Sequence, residues 1–312
     1  MAYAAQPEGF LAWVTTQIRT LAEEPSVDRK WTNEKLWPLI VDCWQRVMED
    51  VNAIATNPLV VDYSFTPSSD RIMLPCNVGQ VIAIGEQSPF GGVYESVVPR
   101  GHFNPCNSGV IFEGFSMRFE PHLVSATTSM VLRYIPNGFC PLHRGVTAST
   151  TMTANSLRLS TSPEEGYFDG RPNAYLGSVV RLLRSASGNP PTGYLAWPIQ
   201  ERIVTGYDVK TATAVVDPPF DVDFSAGGGM GNLHYEVVPM FGDIFKNLVA
   251  WGVVSEIHTA NGSFDRERAA HQRYQMQLRT VLNSLRAYNS RSGSRFYGDV
   301  PSSSVFAYAV GW

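Results

Sequence analysis

Apolar residues recur with helical period in four stretches, two near each end of the chain, and the long middle alternates as strands do. Over residues 9–22, Phe10, Val14, Ile18 and Leu21 share one face, and Pro25 stops the run. Residues 33–55 carry the clearest stripe, with Leu36, Ile40, Cys43, Val47, Val51 and Ile54 following the i, i+4, i+7 rule. Thr32 or Asn33 can cap its start, and Asn57-Pro58 ends it. Pro38 lies just past the position where a helix tolerates proline, which predicts a bend. Over 241–257, Ile244, Leu248, Trp251, Val254 and Ile257 share a face. After a turn at Asn261-Gly262-Ser263, residues 266–288 place Tyr274, Leu278, Val281, Leu282, Leu285 and Tyr288 on one stripe.

Between 60 and 238 the period is two. Phe115, Met117 and Phe119 alternate with Ser116, Arg118 and Glu120, as a half-buried strand does. Met130, Leu132 and Tyr134 repeat the pattern as far as Pro136. The turn-rich Asn137-Gly138-Phe139-Cys140-Pro141 then marks a boundary. Further strands are expected over 156–159, 178–184, 199–207, 211–216 and 233–238. The Gly- and Pro-rich connections at 187–193 and 225–231 are expected to be exposed. No internal repeat is present.

Helix pairs at opposite ends can bury their stripes against each other or a neighbouring subunit. The predicted fold is therefore α+β: a helical bundle of N- and C-terminal helix pairs, a β-rich, sandwich- or barrel-like insertion, and an extended C-terminal tail. The divisions are 1–58 and 239–290 for the bundle, 59–136 for a first β section, 137–238 for the insert and 291–312 for the tail.

Composition narrows the function. A hydrophobic content of 44% with 17% charged residues fits a folded chain. A formal charge of −4 excludes a strongly basic nucleic-acid wrapper, which needs clustered Lys and Arg. Only Lys30, Lys35, Lys210 and Lys246 are lysine, so the other twenty of the 24 basic residues are arginine. Arginine's planar fork suits interfacial ion pairs, although base composition of a genome biases the same choice. The opening MAYAAQPEGF lacks the features of a signal peptide, and no apolar run is long enough to span a membrane. Cys43, Cys76, Cys106 and Cys140 are irregularly spaced without a CxxC pair, which predicts a reducing compartment and no zinc.

Catalytic signatures are missing: no P-loop, no HExxH and no GxSxG. His102, His122, His143, His234, His258 and His271 are scattered and read as surface or interface residues. Glu164, Glu165 and Asp169 form the densest carboxylate group, but adjacent residues in a turn point apart and read as a solvated loop. Gly227-Gly228-Gly229-Met230-Gly231 precedes a strand rather than opening a helix, so it reads as a loop tip. Neither a cofactor nor a metal nor an enzymatic activity is expected.

Two features point outward. The last helix and its exit carry Arg266, Arg268, Arg273, Arg279, Arg286, Arg291 and Arg295 against only Asp265 and Glu267. Solvated faces usually mix signs, so an acidic partner is predicted. Beyond it, Phe296, Tyr297, Phe306, Tyr308 and Trp312 cannot form an amphipathic element and fit a docking tail, on a partner or on the chain's own domain.

The order of these parts resembles the head-to-tail adaptor (connector, or neck) proteins of tailed bacteriophages. The similarity rests on Trp31-Thr32-Asn33-Glu34-Lys35-Leu36 opening the second helix and on the strand Leu132-Arg133-Tyr134-Ile135-Pro136. It continues through SLRLS, NAYLGSVVRLL, IQERIVTGYDVKTATAVVDPPFD and YEVVP, and through the arginine-rich helix to Leu285-Arg286 with its extended tail. Ser187-Gly188-Asn189-Pro190-Pro191 stands where the family's β module has a glycine-rich turn.

The resemblance implies a structural protein of the virion neck, assembled in the host cytoplasm and serving genome ejection. Its partners would be the portal protein, tail nozzle or tail-fibre proteins, and copies of itself in a ring that is a dodecamer in relatives. Duplex DNA would pass through the lumen without sequence-specific binding, and no membrane is involved. Arg286, Arg291, Arg295, Phe296, Tyr297, Phe306, Tyr308 and Trp312 would bind the portal, and Arg266, Arg268, Arg273 and Arg279 would lie between subunits. The alternatives are a tail-tube terminator or tail-fibre docking protein, and a carbohydrate-binding or hydrolytic module using Tyr194, Trp197 and Tyr207 as a platform.

Overall fold

The computed structural model describes residues 9–24, 30–54, 59–67, 69–87, 93–96, 110–114, 116–119, 129–148, 151–185, 200–220 and 232–292. The chain opens with α1 (Phe10–Leu21) and α2 (Asn33–Ile54) and closes with α3 (Gly242–Ala260) and α4 (Phe264–Ser292). The amphipathic stripes set the outer helices: α2 buries Leu36, Ile40, Cys43, Val47 and Val51, and α4 buries Ala270, Tyr274, Leu278 and Leu282. Pro38 sits on the exposed side of α2, and Leu36 N–H reaches back to the Thr32 carbonyl. α3 is apolar nearly all round, and that is why it takes the centre, packed by α1, α2 and α4.

Between the helix pairs lie three sheets, antiparallel at every described pairing. One has the order β1 (Val61–Phe65), β7 (Met130–Pro136), β3 (Val78–Gln87), β4 (Val93–Ser96). A small one runs β2 (Arg71–Met73), β6 (Ser116–Phe119), β5 (Val110–Glu113). The large, curled sheet has seven strands. Its order is β10 (Glu165–Gly166), β8 (His143–Ala148), β14 (Asn232–Val238), β11 (Val179–Ser185), β12 (Gln200–Asp208), β13 (Thr213–Asp217), β9 (Ser156–Arg158).

The centre of the large sheet, β11 and β14, is buried on both faces, and alternation shows how. On β11 and β14, Val179 and Val238 belong to the same core as the helices. Their neighbours Val180, Leu182, Leu233, Tyr235 and Val237 point the other way. There the sheet curls over a second core with Leu157, Tyr175, Val204, Ala214 and Val216.

This overturns the predicted bundle with an insertion held away from it. Strands make up 34% of the described residues, and the helices do not frame a β insertion. The periodicity located the stripes correctly but not what they face. Leu142, Val179 and Val238 share the helical core, so the helices need the sheet as a wall. α1 in particular docks on β14.

Candidate functional site

The joint between helices and sheet is ionic. Glu201 on β12, Arg181 on β11 and Glu236 on β14 are directly opposite one another in the ladder, forming one row across three strands. Arg181 Nε lies 2.6 Å from Glu201 Oε1, and its Nη1 lies 3.5 Å from Glu236 Oε1. Its Nη2 pairs with Asp243 in the first turn of α3, where Lys246 Nζ stands 3.7 Å from the other Asp243 oxygen. Glu236 also accepts the Phe10 N–H at 2.8 Å and the Leu11 N–H at 3.1 Å, so it caps α1 from 225 and 226 residues away.

Burial pushes the Glu236 carboxyl above its ordinary range, against the pull of Arg181 and the two amides. Burial likewise raises Glu201. Burial pulls on Arg181 in the opposite sense, but its three carboxylates outweigh it and hold the guanidinium above its usual value. This row is an assembly of α1, α3 and sheet rather than a reactive centre. An arginine inside the apolar run Val179-Val180-Arg181-Leu182-Leu183 was the signal for it in the sequence.

A second buried group lies on the far side of the sheet. His143 is fully buried and stands edge-on to both Tyr175 and Tyr235. Its Nε2 is 3.1 Å from the Tyr235 hydroxyl, and its Nδ1 is 3.4 Å from that of Tyr175. Tyr235 Oη accepts the Ser160 N–H at 2.5 Å, and Tyr175 Oη accepts the Asp169 N–H at 2.9 Å. Burial pulls the His143 pKa down to about 3, opposed by a backbone hydrogen bond at Pro141, so the imidazole is neutral. His143 is thus a core residue, not the surface or interface residue the sequence predicted.

Neither group lines the best-formed crevice among the described residues. That crevice lies between Trp44, Asn77, Gly138, Ser178 and Met240 and has room for about one water. Three other expectations resolve simply. Glu165 is tied to Asn33 at 2.8 Å, Glu164 reaches toward His234, and Asp169 pairs with Arg171. Tyr207 packs its ring 4.8 Å from Tyr175 with its hydroxyl buried, and Tyr194 and Trp197 lie outside the described residues. Among the described residues no group of His, Cys, Asp or Glu could hold a metal, and no helix is long and apolar enough to cross a membrane.

The outward-facing chemistry is on α4. As far as Leu285, this 29-residue helix buries a single stripe. Arg266, Arg268, Arg273 and Arg279 are all exposed. Arg266 meets Glu23 at 3.0 Å with both side chains in solvent, a weak pair; the other three make no ion pair among the described residues. Asp265 and Glu267 occupy the first turn, and from Arg268 to Ser292 there is no acidic residue. Phe264 and Met276 are 69% and 58% exposed beside these arginines. Arg286 and Arg291 continue the helix backbone. Their side chains, and all of Arg295, Phe296, Tyr297, Phe306, Tyr308 and Trp312, lie outside the described residues.

Comparison with known proteins finds no matching family and no matching curated protein.

Proposed function

We propose that this chain is a structural assembly protein, a head-to-tail adaptor that forms a ring on the portal of a tailed bacteriophage. The observation that carries the reading is α4: a long helix anchored along one stripe, its remaining surface basic and partly apolar. Such a surface suits an acidic protein partner, because exposed arginine and methionine supply both ion pairs and apolar contact. The segment after α4 would dock on the portal through its arginines and aromatics. DNA would pass a ring whose subunits carry a formal charge of −4, a sign that discourages phosphate binding.

The ionic joint at Arg181 and Glu236 suits this role, since it ties α1 and α3 to the large sheet. The testing experiment is electron microscopy of the chain mixed with the portal from the same genome, comparing the full chain with one ending at Ser292. Rings capping the portal only with the full chain are expected. Failure of both forms to bind the portal would sink the reading.

A further inference from the structure

The arginine face of α4 has a counterpart on the same chain. On α2, Glu34, Pro38, Asp42 and Glu49 are exposed, and with half-buried Gln45 they lie at successive spacings of 4, 4, 3 and 4 residues. On α4, exposed Arg268, Gln272, Met276, Arg279 and Asn283 have the same spacings. Each set forms one stripe about 22 Å long at ~1.5 Å per residue. Glu34, Asp42 and Glu49 make no ion pair among the described residues, and neither do Arg268 and Arg279. The cations at the edge of the α2 stripe are already engaged: Lys35 donates to the Lys30 carbonyl, and Arg46 pairs with Glu256 on α3.

Charge registers in either direction. Laid parallel, Arg268 meets Glu34, and Arg279 falls between Asp42 and Glu49. Laid antiparallel, Arg268 meets Glu49, and Arg279 falls between Glu34 and Asp42. Both stripes face outward from their own subunit, so neither can satisfy the other within one chain. Two different surfaces of one molecule that complement each other make a head-to-tail contact, which closes into a ring when the rotation allows.

We infer that the acidic stripe of α2 on one copy binds the stripe of Arg268, Met276 and Arg279 on the next. The inference rests on the ring reading above and names its contact. A strip of about 22 Å by ~10 Å is small beside the ~800 Å² per partner of a stable pair. Isolated copies therefore associate weakly and in a salt-sensitive manner, and the portal acts as the platform on which the contacts accumulate.

Charge exchange tests this with the full chain. One variant carries Arg268→Glu and Arg279→Glu; a second carries Glu34→Lys, Asp42→Lys and Glu49→Lys. All five positions are exposed, and circular dichroism checks that both variants fold. Self-association is read by sedimentation velocity at low salt and by ring formation on the portal. Each variant alone is expected to associate about 100-fold more weakly than the native chain, because like charges then face each other. Their equal mixture is expected to recover, because alternating copies restore opposite charges at every contact. Arg158→Glu, exposed on β9 of the large sheet and away from both stripes, is expected to leave association unchanged. Variants that assemble alone as the native chain does, or a mixture that fails while the native chain assembles, would overturn the inference and leave the ring standing. Absence of any assembly by the native chain, free or on the portal, would remove the ring itself.

Discussion

Cys43 Sγ on α2 stands 2.2 Å from where a side-chain carbon on Gly252 of α3 would be. The two helices cross at this point because residue 252 has no side chain, and the Cys43 thiol donates to the Val249 carbonyl at 3.5 Å in the space left. The crossing sits beside Tyr274, whose hydroxyl donates to Asp50 at 2.6 Å and so ties α4 to α2. A single missing methyl group thus sets how closely the helices approach.

Gly252→Ala is expected to destabilise the protein by about 1–3 kcal/mol, the range for overpacking a core. Adding Cys43→Ala should recover most of that loss, because removing the sulfur vacates the same space. Urea denaturation of the two single variants and the double variant measures the coupling. Simple additivity would show that the crossing had moved rather than jammed.

Glu236 governs how α1 is held. Glu236→Ala leaves the Phe10 and Leu11 amides and one side of Arg181 without their acceptor, and about 3–5 kcal/mol of stability should be lost. Glu236→Gln keeps an acceptor for α1 and should cost less. Hydrogen exchange at α1 is the discriminating readout: faster exchange there than in α4 is expected, and uniform change would contradict a specific capping role.

Burial of neutral His143 links stability to pH. Its folded pKa of about 3 lies below the ordinary 6.5, so the unfolded chain binds the proton first as pH falls. Stability from this group is complete above pH 6.5 and declines as pH drops toward 3, by at most about 1.4 kcal/mol per pH unit. Glu201 and Glu236, whose folded pKa values are raised, oppose it, contributing most in acid and losing that contribution as pH rises through those values. Denaturation midpoints between pH 7 and 5 should fall for the native chain and fall less for His143→Gln. Equal slopes would refute the assignment.

Thiol chemistry checks the packing from another side. Burial pushes Cys43 and Cys140 up to about 12, whereas Cys76 is raised less and is only partly buried. In a Cys106→Ser background at pH 8, iodoacetamide should label Cys76 first. Cys43 and Cys140 should react roughly a thousandfold more slowly until urea is added. Rapid labelling of Cys43 in the native state would mean the α2–α3 crossing is open.

Hydrophobic period by itself located the four helices and the strands β6, β7, β9 and β11 to β14, but not β1 to β5, β8 or β10. The stripe from Leu36 to Val51 gave α2, that from Tyr274 to Leu282 gave α4, and the alternation of Met130, Leu132 and Tyr134 gave β7. These patterns are local, because a helix or strand repeats its facing every few residues whatever lies opposite. The exposed arginines of α4 were legible for the same reason, since a face with no apolar residue facing the core must meet solvent or a partner. What each stripe faces was decided only by tertiary structure. Val179 and Val180 look alike in the chain, yet one meets the helices and the other the curled sheet. Glu236 reads as a polar residue in a strand, and only the return of α1 across 226 residues makes it a cap. His143, isolated in the sequence, became a core residue when Tyr175 and Tyr235 closed around it. Pairings over such separations depend on which surfaces fit best when all are folded together, and no short window of residues contains that information.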